Sequence, residues 1–150
     1  MQFAFRNEIE GSMVKSMLGR HGISRRLLTK VKFDGGKIMV NGIEKTAIYH
    51  LEKGDLVTIT VPDEPDNEKL IPDEVPLNVL FEDDHYLVVE KPAGKASITG
   101  SLHPTGAMSN AVKGYISRKN YPNQTVHIIT RLDRDTSGIM LLAKHRYAHA

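Results

Sequence analysis

A charged segment enclosed by two aliphatic runs constrains this chain more than any other feature. Thr130-Arg131-Leu132-Asp133-Arg134-Asp135-Thr136-Ser137-Gly138 lies between Val126–Ile129 and Ile139–Ala143. Both flanks are strand-length and rich in β-branched or aliphatic residues, so the charged residues are expected in a loop between buried strands. Such a loop, held at both ends by the core, can position a side chain accurately. Asp133 stands between Arg131 and Arg134, whose positive charge would favour the ionised carboxylate that a nucleophile needs. The same residues also read as an ordinary turn, because Asp135, Thr136, Ser137 and Gly138 are common turn formers.

The chain has 150 residues, enough for one domain or two small ones. With 40% hydrophobic and 25% charged residues it has a globular composition. The absence of cysteine excludes a disulfide framework, a thiolate nucleophile and a cysteine metal site. Neither a membrane-length apolar run nor a signal-peptide core at Met1–Glu8 is evident, so a soluble cytoplasmic protein without a membrane partner is expected. The net charge of +2 hides a strong asymmetry. Met1–Val61 holds ten Lys/Arg against six Asp/Glu, Pro62–Glu90 one against ten, and Lys91–Ala150 nine against two. Two basic blocks could follow a polyanion, with the acidic block between them repelled by it.

Residues 1–61 read as a small α+β unit. Ser12 is expected to cap a helix carrying Met13, Val14, Met17 and Leu18, and Ser24 a second from Arg25 to about Lys32. Asn41-Gly42 between Lys37–Val40 and Ile43–Ala47 signals a hairpin, and Leu56–Val61 a closing strand. The second helix is amphipathic, with Arg25, Arg26, Lys30 and Lys32 set against Leu27, Leu28 and Val31. Residues 62–76 are acidic, proline-rich and aperiodic, which predicts an interdomain linker that separates the modules. From residue 77, Val79–Phe81 and Tyr86–Val89 read as a hairpin, Lys91-Pro92-Ala93-Gly94 as an exit from the sheet, and Ala107 to about Lys119 as a helix with Tyr115 in its apolar stripe. His145 and His149 are one helical turn apart but lack the intervening glutamate of a zinc protease motif, so no metal site is expected.

Lys91-Pro92-Ala93-Gly94 taken together with Arg131-Leu132-Asp133 and Thr136-Ser137-Gly138 resembles the RNA pseudouridine synthases of the ribosomal large-subunit type. The resemblance implies that Asp133 is the catalytic residue, that Arg131 fills the space left by an extruded base or holds a phosphate, and that Lys91 lies beside the site on the RNA. Thr130 stands where the family usually has histidine, and a hydroxyl cannot supply that residue's charge. Ser24-Arg25-Arg26, the basic helix, Val40-Asn41-Gly42 and Gly54–Ile59 resemble the alpha-L RNA-binding motif, which implies phosphate contacts from Arg25, Arg26 and Lys30. The fold class implied is α+β: an alpha-L-like domain over 1–61, the linker over 62–76, and the first part of a mixed, mainly antiparallel synthase sheet over 77–150. The tyrosine and basic residue that accompany the aspartate in the family come from later motifs, so the chain reads as truncated within the catalytic domain, with exposed sheet edges. The implied reaction converts uridine to pseudouridine in RNA, ribosomal rather than transfer RNA. It breaks the N1–C1′ bond and joins C5 to C1′ without redox change, so no cofactor is expected.

Overall fold

The computed structural model describes residues 1–150 and divides into two compact units, one of residues 1–63 and one of residues 64–149. Both are α+β and both sheets are antiparallel throughout.

The first unit contains β1 (Gln2–Arg6), α1 (Val14–Arg20), α2 (Arg25–Phe33), β2 (Lys37–Val40), β3 (Ile43–Glu44) and β4 (Leu56–Thr60), with strand order β1-β4-β2-β3. The strand expected over Leu56–Val61 is the centre of this sheet, pairing with β1 on one side and β2 on the other. Asn41 and Gly42 adopt φ of 50° and 83°, the left-handed pair that matches hairpin twist and joins β2 to β3. Ser24 caps α2 as expected, accepting from Leu27 N at 3.1 Å. Ser12 does not cap α1. Met13 bridges to His50 in extended backbone, and the first helical N–H groups of Val14 and Lys15 donate to Tyr49 O and Ala47 O. Backbone carbonyls thus do what the serine side chain was expected to do. Val14, Met17, Leu18, Leu27, Val31, Val57 and Ile59 are buried and form the centre of this unit.

The second unit contains β5 (Val79–Glu82), β6 (Tyr86–Lys91), α3 (Met108–Arg118), β7 (His127–Ile128), β8 (Gly138–Ala143) and α4 (Arg146–His149), with strand order β5-β6-β8-β7. Alternate residues of the two central strands, Leu87, Val89, Met140 and Leu142, face Met108, Val112 and Ile116 of α3. Full burial of each such side chain contributes roughly 1.5–3 kcal/mol. β7 and β8 pair directly, His127 opposite Ala143 and Ile128 opposite Leu142, so the charged segment between them is the connection of an antiparallel pair.

The acidic stretch expected as a spacer is bound along the second unit from Glu64 onward. Glu64 receives His127 Nε2 at 2.8 Å and Arg146 Nε at 3.1 Å, and Asp66 pairs with the buried Lys113. Asn110 donates to Ile71 O at 2.8 Å, and Arg118 Nη1 donates to Asp73 O at 3.2 Å. A β-carbon at Gly114 would lie 1.8 Å from Asp73 O, so the strap and α3 approach more closely than any side chain permits. The acidic residues find partners on α3, β7 and α4.

Candidate active site

The connection between β7 and β8 is anchored at its root by Thr130. Its N–H and that of Ile129 donate to Leu141 O at 3.2 and 3.0 Å, and its hydroxyl accepts from Leu141 N at 2.9 Å. A hydroxyl suits this position because it satisfies a strand N–H.

Beyond the root, side chains alternate. Arg131 and Asp133 are exposed, whereas Leu132 is half-buried and packs against the core of α3, β6 and β8. The backbone of Leu132 is gripped on both polar groups by the buried Ser97, whose Oγ accepts from Leu132 N at 3.0 Å and donates to Leu132 O at 2.6 Å. On the other side of Asp133, Arg134 O accepts from Lys91 Nζ at 2.8 Å and from Gly94 N at 2.8 Å. Arg134 Nε returns to Gly94 O at 3.4 Å. Gly94 has φ of +87°, a conformation other residues rarely adopt, and it turns the Lys91–Gly94 bend toward the loop. The two sequence motifs are therefore one assembly, and the Asp133 carboxylate projects from between two immobilised neighbours.

One expectation is corrected by this geometry. Lys91 is fully buried, and its Nζ donates to Pro92 O at 3.0 Å, Lys95 O at 2.5 Å and Arg134 O. All three N–H bonds of the ammonium are used within the protein, so Lys91 supports the site as a buried brace and is not an RNA contact. No ion pair joins Asp133 to the flanking Arg131 or Arg134. Arg134 is turned to the Gly94 carbonyl, and the carboxylate is open to solvent.

The geometry also brings in residues that sequence reading missed. Ser97 is one, and no spacing rule points to a lone serine. Glu64 is another, its side chain only 8% exposed in a stretch expected to be an interdomain linker. His145 and His149, considered together in the sequence, have different partners: His145 Nε2 lies 2.9 Å from His85 Nδ1 and His149 Nδ1 lies 3.2 Å from His127 Nδ1.

In the first unit, Arg25 and Arg26 are exposed on the first turn of α2 and Lys30 is partly exposed, 3.9 Å from Asp34. The two arginines are directed away from Leu27 and Val31, which are buried. Two clefts flank Leu28 and Ala47. One, of about 620 Å³, is lined by Lys15, Ser24 and Arg25 among others; the second, of about 500 Å³, includes Lys32, Lys37 and Lys45. Lys45 also lies over the ring of Tyr49, 4.7 Å from its centroid.

A clamped, solvent-facing aspartate stands beside a Lys-Pro-Ala-Gly bend. Residues 85–150 of the chain match the sequence profile of the RNA pseudouridylate synthase family. Among its relatives is the uncharacterized RNA pseudouridine synthase YjbO of Bacillus subtilis, 46% identical over 137 residues, covering 91% of this chain and 48% of the relative. Ribosomal large subunit pseudouridine synthase C of Vibrio parahaemolyticus is 34% identical over 121 residues, covering 75% of this chain and 37% of the relative. Ribosomal large subunit pseudouridine synthase D of Xanthomonas campestris is 43% identical over 77 residues, covering 49% and 22% respectively. The chain spans half or less of the length of these relatives. No helix is long and apolar enough to cross a membrane.

Proposed function

We propose that the protein isomerises uridines in RNA to pseudouridine, with the carboxylate of Asp133 acting at the bond between sugar and base. The observation that carries this reading is the double clamp on Leu132 and Arg134, which fixes the backbone around Asp133 while leaving its side chain accessible. An accessible carboxylate on a rigid mount suits a reaction on a large polymeric substrate, where the reacting atoms must be brought to the protein. A paired or stacked base hides N1, C5 and C1′, so the target nucleotide is turned out of its stack at a cost of roughly a few kcal/mol. Arg131, exposed beside Asp133, is placed to meet a phosphate or the space the base leaves. Arg25, Arg26 and Lys30 supply a second set of phosphate contacts from the first unit. Two of the relatives are named as ribosomal large subunit enzymes, which supports ribosomal RNA as the substrate class.

Formation of the C5–C1′ bond displaces the hydrogen on C5, so RNA carrying tritium at uridine C5 reports turnover as tritium released to water. Asp133→Asn in the full protein is expected to lower release by at least about 10³-fold while RNA affinity stays within twofold. Substantial release by the Asn variant would remove Asp133 from the chemistry. RNA binding without any release by the unsubstituted protein would favour a noncatalytic RNA-binding role.

A further inference from the structure

We propose that Ser97 is a positioning residue for Asp133, and the inference rests on the reading of Asp133 as the reacting carboxylate. Ser97 sits in the loop after the Lys-Pro-Ala-Gly bend, outside both motifs. Its own backbone is fixed by the first turn of α3: Ser109 N donates to Ser97 O at 3.1 Å, and Met108 N to the preceding Ala96 O at 2.8 Å. From that fixed point its hydroxyl reaches Leu132 and bonds both the N–H and the C=O of one residue. A single atom that donates and accepts at once is required, and among the side chains of this size only a hydroxyl does both strongly. Methyl or methylene groups can do neither.

The bonded residue is the immediate neighbour of Asp133. With the Leu132 side chain packed against the core and its backbone on Ser97, the peptide leading into Asp133 is held from both ends. Lys91 and Gly94 hold the residue on the other side through Arg134 O. Asp133 O receives Thr136 N at 3.0 Å, a backbone bond that folds the turn without using the side chain. Ser97 is 6% exposed and lies beneath the loop, so it makes no contact with RNA itself. Its effect passes through the direction in which Asp133 points. Because a displacement of about 1 Å at a reacting group costs on the order of 100-fold in rate, loss of this grip falls on turnover more than on substrate binding.

Three measurements on the full protein test this. Hydrogen exchange of the Leu132 amide in the unsubstituted protein is expected to be slow, and exchange as fast as that of open loop amides would overturn the proposal without any variant. Ser97→Ala is expected to lower kcat for tritium release by roughly 10–100-fold, with KM and RNA affinity within twofold. Ser97→Thr, which keeps the hydroxyl, should recover kcat to within a few-fold of the unsubstituted enzyme. An Ala variant that folds and keeps its kcat within twofold overturns the assignment. If the Ala variant does not fold, Ser97→Thr is compared with Ser97→Cys, whose thiol is a weak donor and acceptor; equal turnover by the two overturns it. Failure of this proposal alone gives an inactive Asp133→Asn beside a fully active Ser97→Ala. Failure of the underlying reading gives turnover by Asp133→Asn.

Discussion

Lys91 carries a charge into an interior where no carboxylate meets it. Three backbone carbonyls take its N–H bonds instead, two from its own bend and one from Arg134. Removing the ammonium leaves Pro92 O and Lys95 O without this donor and Arg134 O with Gly94 N alone, and a buried group that loses its hydrogen-bond partner costs about 1–3 kcal/mol. Lys91→Met is therefore expected to lower the unfolding free energy by roughly 2–5 kcal/mol, read by denaturant titration. It should also loosen the Asp133 loop. A change below about 0.5 kcal/mol would show that the brace contributes nothing. The sequence marks Lys91 and Asp133 equally, as charged residues in turn-forming strings. Burial separates them: Lys91 lies inside, bonded to backbone carbonyls, and Asp133 lies exposed on the loop.

At the scale of elements, the strap, β7 and α4 share one polar cluster. Glu64 is desolvated by burial, yet its hydrogen bond with His127 and the charges of His127 and Arg146 outweigh that, holding its carboxyl below the ordinary value of 4.5. His145 is shifted down from 6.5, first by burial and then by His85. Its Nδ1 accepts from Ala148 N at 3.1 Å, which requires that nitrogen to be unprotonated. Both folded-state shifts are downward, so both groups contribute stability that is complete above their unfolded values and lost as pH falls through their folded ones. The midpoint of thermal unfolding should therefore drop in two stages on acidification, one starting near pH 6.5 from His145 and one below about pH 4.5 from Glu64. Glu64→Gln should flatten the lower stage. A midpoint constant from pH 7.5 to 4 would contradict the downward shift of His145. The hairpins, α2 with its Ser24 cap, α3 and the β7–β8 connection were legible in the sequence, because each depends on local periodicity or turn chemistry. β1 was not read as a strand. The five residues Gln2–Arg6 alternate weakly and form an edge whose partner, β4, is some fifty residues away.

Across the whole molecule, charge is partitioned by use. The acidic block is partly consumed in holding the strap, through Glu64 and Asp66, whereas Arg25, Arg26 and Arg131 remain exposed. Each phosphate contact made by such a residue releases a counterion, so affinity falls with salt in proportion to the number of contacts. Replacing Arg25 and Arg26 together by alanine should weaken RNA binding and reduce the slope of log affinity against log salt by about 1–2. Binding measured across a salt series checks this. An unchanged slope would take the first unit out of the RNA interface.

By itself the sequence pointed to the family whose profile residues 85–150 match and singled out Asp133 as the candidate carboxylate, because the family's motifs are contiguous strings and strand and helix periods are local. Only the tertiary structure decided that the Lys-Pro-Ala-Gly bend and the Asp133 loop interlock, that Ser97 grips Leu132, and that the acidic strap lies on α3. Those contacts join residues thirty-five or more positions apart, and a hydrogen bond between distant backbone groups leaves no periodic trace in either segment.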